Sequence, residues 1–184
     1  MMTRGKWLFV LGLLLLAGVG CSGKHKLVAG APDWVNQGSG AFDEAGAKVF
    51  YGVGAVSGIG SQSLAVQAAD QRARADIAWQ LETYVAGISR DFQAGTSAPA
   101  GQAPLEQQHL EQTVKSITQV TVRGARVQDH WRDPETNTVY SLVKLNLDDF
   151  KQSLDEVKGV DPALQGFVRS NADQAFERLR TEEK

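Results

Sequence analysis

The 184-residue chain carries 19 Lys and Arg against 21 Asp and Glu, a formal charge of −2, with 42% hydrophobic residues and one cysteine. Interspersed charge with a mildly acidic balance excludes the basic footprint of a nucleic-acid binder. A lone cysteine excludes an intrachain disulfide framework, and no repeat of 20–50 residues or sustained heptad array points to a solenoid or coiled coil.

The N-terminus is the most informative segment. Met1 to Lys6 holds Arg4 and Lys6, the 14 residues from Trp7 to Gly20 are apolar, and Gly18-Val19-Gly20-Cys21 closes with small residues. This is the layout of a secretory signal peptide, and the apolar run falls short of the roughly 20 residues a membrane span needs. Cleavage before Cys21 resembles the processing of bacterial lipoproteins. That pattern implies a diacylglycerol on the Cys21 thiol and an acyl chain such as palmitate on its amine. Gly18 departs from it, standing where Leu is usual. Ser22 follows the cysteine, and the sorting preference of Gram-negative lipoproteins then implies the outer membrane, with a domain expected to face the periplasm. Several acyl chains at ~0.8 kcal/mol per buried methylene make release negligible.

The expected organisation is a signal peptide over residues 1–20, a lipidated tether over 21–31 and a single α+β domain over 32–184. Without residues 1–20 the chain keeps 17 basic and 21 acidic residues, formally −4. Lys24, His25 and Lys26 beside the lipid can touch anionic head groups, but they are read first as an ordinary solvated tether.

Pro32-Asp33-Trp34-Val35 opens the ordered part, with Trp34 as a clip that docks the entry of the domain. Gln37 to Gly46 is polar and Gly-rich and reads as a loop. Lys48 to Val56 alternates as a strand, with Phe50, Gly52, Gly54 and Val56 on one face. Two glycines on one strand face mark a close backbone approach. Ser63 to Arg90 reads as a long helix with a stripe of Leu64, Ala68, Ala75, Ala78, Leu81, Val85 and Ile88. Its small residues are expected to pack on the face left open by Gly52 and Gly54, while Arg72, Arg74 and Asp76 are expected to be solvated or locally paired.

Asp91 to Pro104, broken by Gly and Pro, reads as a mobile connector, and Leu105 to Lys115 as a short helix. Ser116 to Trp131, rich in Ile, Val and Thr, reads as a long strand bulged at Gly124. A turn at Arg132 to Asn137 and a return strand from Thr138 to Leu147 complete a hairpin. Asp148 is placed as the cap of a short helix carrying Phe150, Leu154 and Val157. Asp161-Pro162 then starts a final helix whose stripe is Leu164, Phe167, Val168, Asn171, Ala175, Phe176 and Leu179. The result is an α+β domain with a small antiparallel sheet of about three strands packed on one long helix plus C-terminal helices.

The order of Pro32-Asp33-Trp34-Val35, Tyr51-Gly52-Val53-Gly54-Ala55, Ala73-Arg74-Ala75, Ile77-Ala78, Leu81, Trp131 and Tyr140-Ser141-Leu142-Val143 resembles the LPP-twenty family of small bacterial surface lipoproteins. A similar domain occurs in an outer-membrane flagellar ring protein. The resemblance spans most of residues 32–147; it implies an α+β envelope domain used in assemblies and supplies no catalytic residues.

Gly52-Val53-Gly54-Ala55-Val56-Ser57 starts like a dinucleotide fingerprint, but Ser57 replaces the third glycine and no acidic residue ends a second parallel strand. His25, His109 and His130 lack metal-ligand spacing. Asp129-His130-Trp131 can contribute to a polar pocket, yet one Asp–His pair is not a triad. No cofactor, metal or catalytic residue is expected. The expectation is a non-enzymatic lipoprotein anchored through Cys21, with Trp34, His130 and Trp131 as a candidate surface for envelope-protein partners and the sheet edges open to strand addition. The alternative is a periplasmic module for peptidoglycan or glycan, stacking sugars on Trp34, Trp79 and Trp131. The sequence leaves the oligomeric state open.

Overall fold

The computed structural model describes residues 26–44, 46–95 and 107–182. Cys21 and the signal-peptide reading lie outside the described residues, as does most of the expected connector. Elements follow as α1 (Asp33–Gln37), β1 (Gly40–Glu44), β2 (Ala47–Val56), α2 (Gln62–Gly95), α3 (Gln107–Val122), β3 (Arg126–Arg132), β4 (Val139–Asn146), α4 (Leu147–Ser153), a 3-10 turn (Leu154–Glu156) and α5 (Pro162–Glu182). The strands form one antiparallel sheet in the order β1-β2-β4-β3, so the α+β architecture is as expected, with four strands rather than three.

The extra strand is β1, in the segment expected to be a loop. It pairs with β2 from Gly40↔Tyr51 to Glu44↔Ala47. The hairpin closes where Gly46, at φ +88, donates its N–H to Asp43 Oδ1 at 2.9 Å. A glycine supplies that left-handed backbone without strain.

The central contact is the close approach of α2 to β2. A Cβ on Gly52 would lie 2.3 Å from the Ala73 carbonyl oxygen, and one on Gly54 would lie 2.2 Å from that of Ala69. The expected pairing of glycine face and alanine-rich helix therefore holds, but the alanines differ. The buried stripe is Ala65, Ala69, Ala73, Ile77, Leu81, Tyr84, Val85 and Ile88, whereas Leu64 is 56% exposed and Ala68, Ala75 and Ala78 face away from the sheet or flank it.

Beyond the sheet, α3 and α5 cover the second half of α2. Edge-on ring contacts of Phe50 with Tyr84 and Phe176, and of Tyr84 with Phe150, at 5.1–5.4 Å, join four elements. Such pairs add to the burial of large apolar rings. The Tyr84 hydroxyl donates to the Ala172 carbonyl at 2.5 Å, so the buried phenol is satisfied; burial drives its pKa far above the usual value.

Three other expectations are corrected. Asp91 to Gly95 continues α2. Ser116 to Val122 belongs to α3, where Thr113, Val114, Ile117, Thr118 and Thr121 are buried at helical spacing. Strand β3 begins only at Arg126, and its bulge falls between Val127 and Asp129 rather than at Gly124. Asp148 lies inside α4, whose cap position is Asn146. By contrast Asp161 caps α5 as expected, its Oδ1 accepting the Ala163 N–H at 2.7 Å. The hairpin turn also matches: Asp133 accepts from the Glu135 N–H at 2.9 Å and the Thr136 hydroxyl at 2.6 Å.

Candidate functional site

The sheet has one face under α2 and one face away from it, and the residues singled out in the sequence divide between the two. Successive strand residues alternate faces, so His130 and Trp131 part company. His130, opposite Ser141, points to the helix side, while Trp131, opposite Tyr140, and Asp129, opposite Leu142, point to the outer side.

On the helix side, Asp70 of α2 is the centre of a polar cluster. Its Oδ1 accepts the Ser141 hydroxyl at 2.6 Å and lies 2.7 Å from His130 Nε2. Ser141 is fully buried, which makes the bond to Asp70 its route to satisfaction. The three residue types are those of a nucleophilic triad, yet the order is wrong. The carboxylate contacts serine and imidazole separately, so the imidazole is not placed to take the serine proton. The cluster ties β3 and β4 to α2.

On the outer side, α1 leans over the sheet. The Trp34 indole N–H donates to Asp129 Oδ2 at 3.0 Å, and Asp129 Oδ1 accepts the His130 backbone N–H at 2.8 Å. Trp34 thus serves as the expected clip, and Asp129 is occupied by it. The segment before α1 is held as well: Asn36 bonds both the N–H and the carbonyl of Val28, at 2.9 and 3.1 Å, and Ala31 is buried. The Trp131 and Tyr140 rings lie 5.4 Å apart. Nearer β1, Tyr51 donates to Glu44 at 2.6 Å, Lys144 pairs with Glu44 at 3.2 Å, and the Lys144 ammonium sits 5.8 Å from the Tyr51 ring. The bond from Tyr51 and the charge of Lys144 hold the Glu44 carboxyl below its usual range.

Trp79 stands apart, 67% exposed on the side of α2 away from the sheet. The three tryptophans therefore do not form one stacking row. The dinucleotide reading fails on the same geometry: the Gly52 and Gly54 face is filled by α2 backbone, leaving no room for a pyrophosphate.

The sheet edge holds a feature the sequence reading missed. Strand β1 covers β2 only as far as Tyr51, which leaves backbone groups of Tyr51, Val53 and Ala55 without a strand partner on that side. Three side chains of α2 meet them: Gln80 donates to the Tyr51 carbonyl at 2.8 Å, Asp76 accepts the Val53 N–H at 3.3 Å beside the Ser39 hydroxyl, which accepts it at 3.0 Å, and Arg72 donates to the Ala55 carbonyl. The spacing explains the match. Four helical residues rise about 6 Å, close to the roughly 6.6 Å covered by two strand residues, so 72, 76 and 80 track 55, 53 and 51. Arg72 and Asp76 are thus anchored to the sheet rather than solvated, and Arg74 likewise reaches the Ala125 carbonyl. This stretch of edge is closed to strand addition, while the other edge, β3, is bulged and carries Arg126, Asp129, His130 and Arg132, features that blunt pairing.

Among the described residues no group of three or more His, Cys, Asp or Glu side chains is arranged to hold a metal ion, and no helix is long and apolar enough to cross a membrane. The class defined by this geometry is a four-stranded antiparallel α+β domain with a clipped N-terminal entry. No protein-family profile matches the sequence, and no curated protein does.

Proposed function

We propose that this chain is a non-enzymatic, lipid-anchored lipoprotein of the bacterial cell envelope, acting at the outer membrane as a protein-interaction or assembly module. The observation that carries the reading is the basic, apolar and small-residue sequence ending at Cys21. The resemblance to the LPP-twenty family supports it. So does the Asp70 cluster, whose buried serine and carboxylate-centred geometry serve packing rather than proton transfer.

Because Val28 is already held by Asn36, only residues 22–27 separate the anchor from the body. Six residues reach at most about 20 Å. With Cys21 acylated, the α1 entry of the domain stays within about 20 Å of the head groups. A glycan-binding module is the weaker reading, since Trp79 lies on the far side of the molecule from Trp34 and Trp131.

Cys21→Ser tests the anchor. In cell fractionation the variant is expected to leave the membranes and collect in the soluble periplasmic fraction. Retention in the membrane pellet after a carbonate wash would overturn the reading.

A further inference from the structure

The sheet face away from α2 carries an apolar layer of its own. The Phe42 and Tyr51 rings lie 5.6 Å apart and those of Tyr140 and Trp131 5.4 Å apart. Val53 follows Tyr51 on the same face, opposite Leu142, and Trp34 leans in from α1. All six are half-buried, and none belongs to either apolar core cluster. Two carboxylates share the face and both are engaged, Glu44 by Tyr51 and Lys144, and Asp129 by the Trp34 indole and the His130 N–H. Arg126, opposite Lys144, is an exposed cation on the same side. Indole and phenol rings, apolar in body with a polar tip, are the side chains that favour the boundary between water and lipid.

We infer that this face rests on the bilayer that holds the chain's own anchor, an inference that depends on the lipoprotein reading. The occupant follows from where the chain enters the domain. Asn36 grips both backbone groups of Val28, Lys26 pairs with Asp33 of α1 at 3.1 Å, and α1 is pinned to this side of the sheet through Trp34 and Asp129. The acylated end therefore joins the domain beside this face, with residues 22–27 as its whole free length, at most about 20 Å. Such a tether limits distance but leaves rotation free, so the surface around its root decides which side turns to the lipid. That surface is the aromatic layer, and Leu27, 86% exposed at the end of the tether, adds an aliphatic side chain to it. Lys24 in the tether and Arg126 on the face supply cations for lipid phosphates. The exposed side of α2 instead sets Trp79 among Gln71, Glu82 and Thr83, a polar surface that suits water.

The test uses the acylated full-length protein in vesicles of phosphatidylethanolamine and phosphatidylglycerol, with lipids brominated near the head of the acyl chain as quenchers of tryptophan emission. Once the signal segment with Trp7 is removed, Trp34, Trp79 and Trp131 are the emitters. Trp131 and Trp34 are expected to lose emission to the brominated lipid, and Trp79 is not, because the sheet and the roughly 10 Å thickness of α2 stand between it and the bilayer. Trp79→Phe is therefore expected to raise the quenched fraction of the emission and Trp131→Phe to lower it. Val53→Glu sets an unpaired charge in the middle of the face, where burial against lipid is costly. It is expected to abolish the loss at Trp131 while the acyl chains keep the protein on the vesicles, with near-ultraviolet circular dichroism as the check on folding. If that variant does not fold, the two phenylalanine variants decide on their own. Trp79 quenched as strongly as Trp131, or quenching indifferent to a folded Val53→Glu, overturns the inference. So does a Trp131 left unquenched, the outcome expected if a second copy sat on the face. The two proposals fail distinguishably: protein that does not stay with the vesicles overturns the anchor and this inference together, whereas bound protein with the wrong tryptophan quenched overturns this inference alone.

Discussion

Replacing Gly54 with alanine tests the contact on which the fold depends. The new methyl carbon would sit 2.2 Å from the Ala69 carbonyl oxygen, 2.4 Å from the Ala73 nitrogen and 2.9 Å from the Arg72 Cβ. The first two are backbone atoms of α2, so no side chain can swing aside. Restoring an ordinary separation of 3.4 Å means moving helix and strand apart by about 1 Å. That opens the small cluster of Val56, Ala65, Ala69 and Val139. Overpacking of this kind costs about 1–3 kcal/mol, and two backbone atoms within 2.4 Å of the new carbon place this case at the upper end. The reduced freedom of the unfolded chain offsets about 0.4–1 kcal/mol. The net expectation is about 2 kcal/mol, which for a domain of this size lowers the melting temperature by roughly 4–8 °C. The comparison is Gly60→Ala, where an added Cβ meets nothing within 4 Å. Urea midpoints and calorimetric melts of the two full-length variants give the difference. Agreement between them to within about 0.5 kcal/mol would refute the reasoning.

Asp70→Ala strands the buried Ser141 hydroxyl and is expected to cost about 2 kcal/mol; adding Ser141→Ala should recover part of that loss, and a double-mutant cycle in urea checks the coupling. Gly87 lies inside α2, and an added Cβ there meets nothing within 4 Å. It is expected to accept alanine with a gain of about 0.5–1 kcal/mol from helix propensity, read as a higher urea midpoint. The Asp173 carboxyl is held below its usual value of 3.8 by the Lys151 and Lys48 ammonium groups, and Glu177 below 4.5 by Arg180 and Lys48. Depressed folded-state values mean that this stabilisation is complete above the ordinary carboxylate range and is lost as the pH falls through it. Asp173→Asn should therefore flatten the decline in stability between about pH 5 and 3, measured as urea midpoints across that range.

What could be read in advance was whatever announced itself by local chemistry. Asp161-Pro162 marks a helix start whatever surrounds it, and Asp133 with its turn neighbours closes a hairpin by bonds within four residues. The glycine face of β2 was legible because two absent side chains imply something close. The phase of α2 was not. Alanine occurs all round that helix, so the outward stripe through Ala68 and Ala75 competed on equal terms with the inward one through Ala69 and Ala73. In α3, counting Ile, Val and Thr as strand formers hid a helical period that appears only when Thr113, Thr118 and Thr121 are taken as core residues. The hydroxyl of Thr121 is satisfied by Ser153 at 2.8 Å, a partner 32 residues away. Strand β1, with Phe42 its one strong strand former, exists through pairing rather than propensity. Of the surface residues, Trp34 is legible as a clip, whereas His130 and Trp131 are adjacent in sequence but sit on a strand, which sends neighbours to opposite faces. The α2 row of Arg72, Asp76 and Gln80 has a visible spacing of four, but its meaning depends on β1 ending early.

The strand order β1-β2-β4-β3 has a kinetic consequence. Each outer pair is a local hairpin and can zip within microseconds, but the central seam joins Val56 to Val139 and Val49 to Asn146, partners 83 and 97 positions apart. The seam must wait until two long helices have formed and bent back, and such distant closures are what slow a protein's folding. Until then the nascent molecule exists as two half-sheets, each with a raw border. A chain threaded through a membrane from one end would deliver the first half well before the second, so its assembly is timed by the arrival of β4.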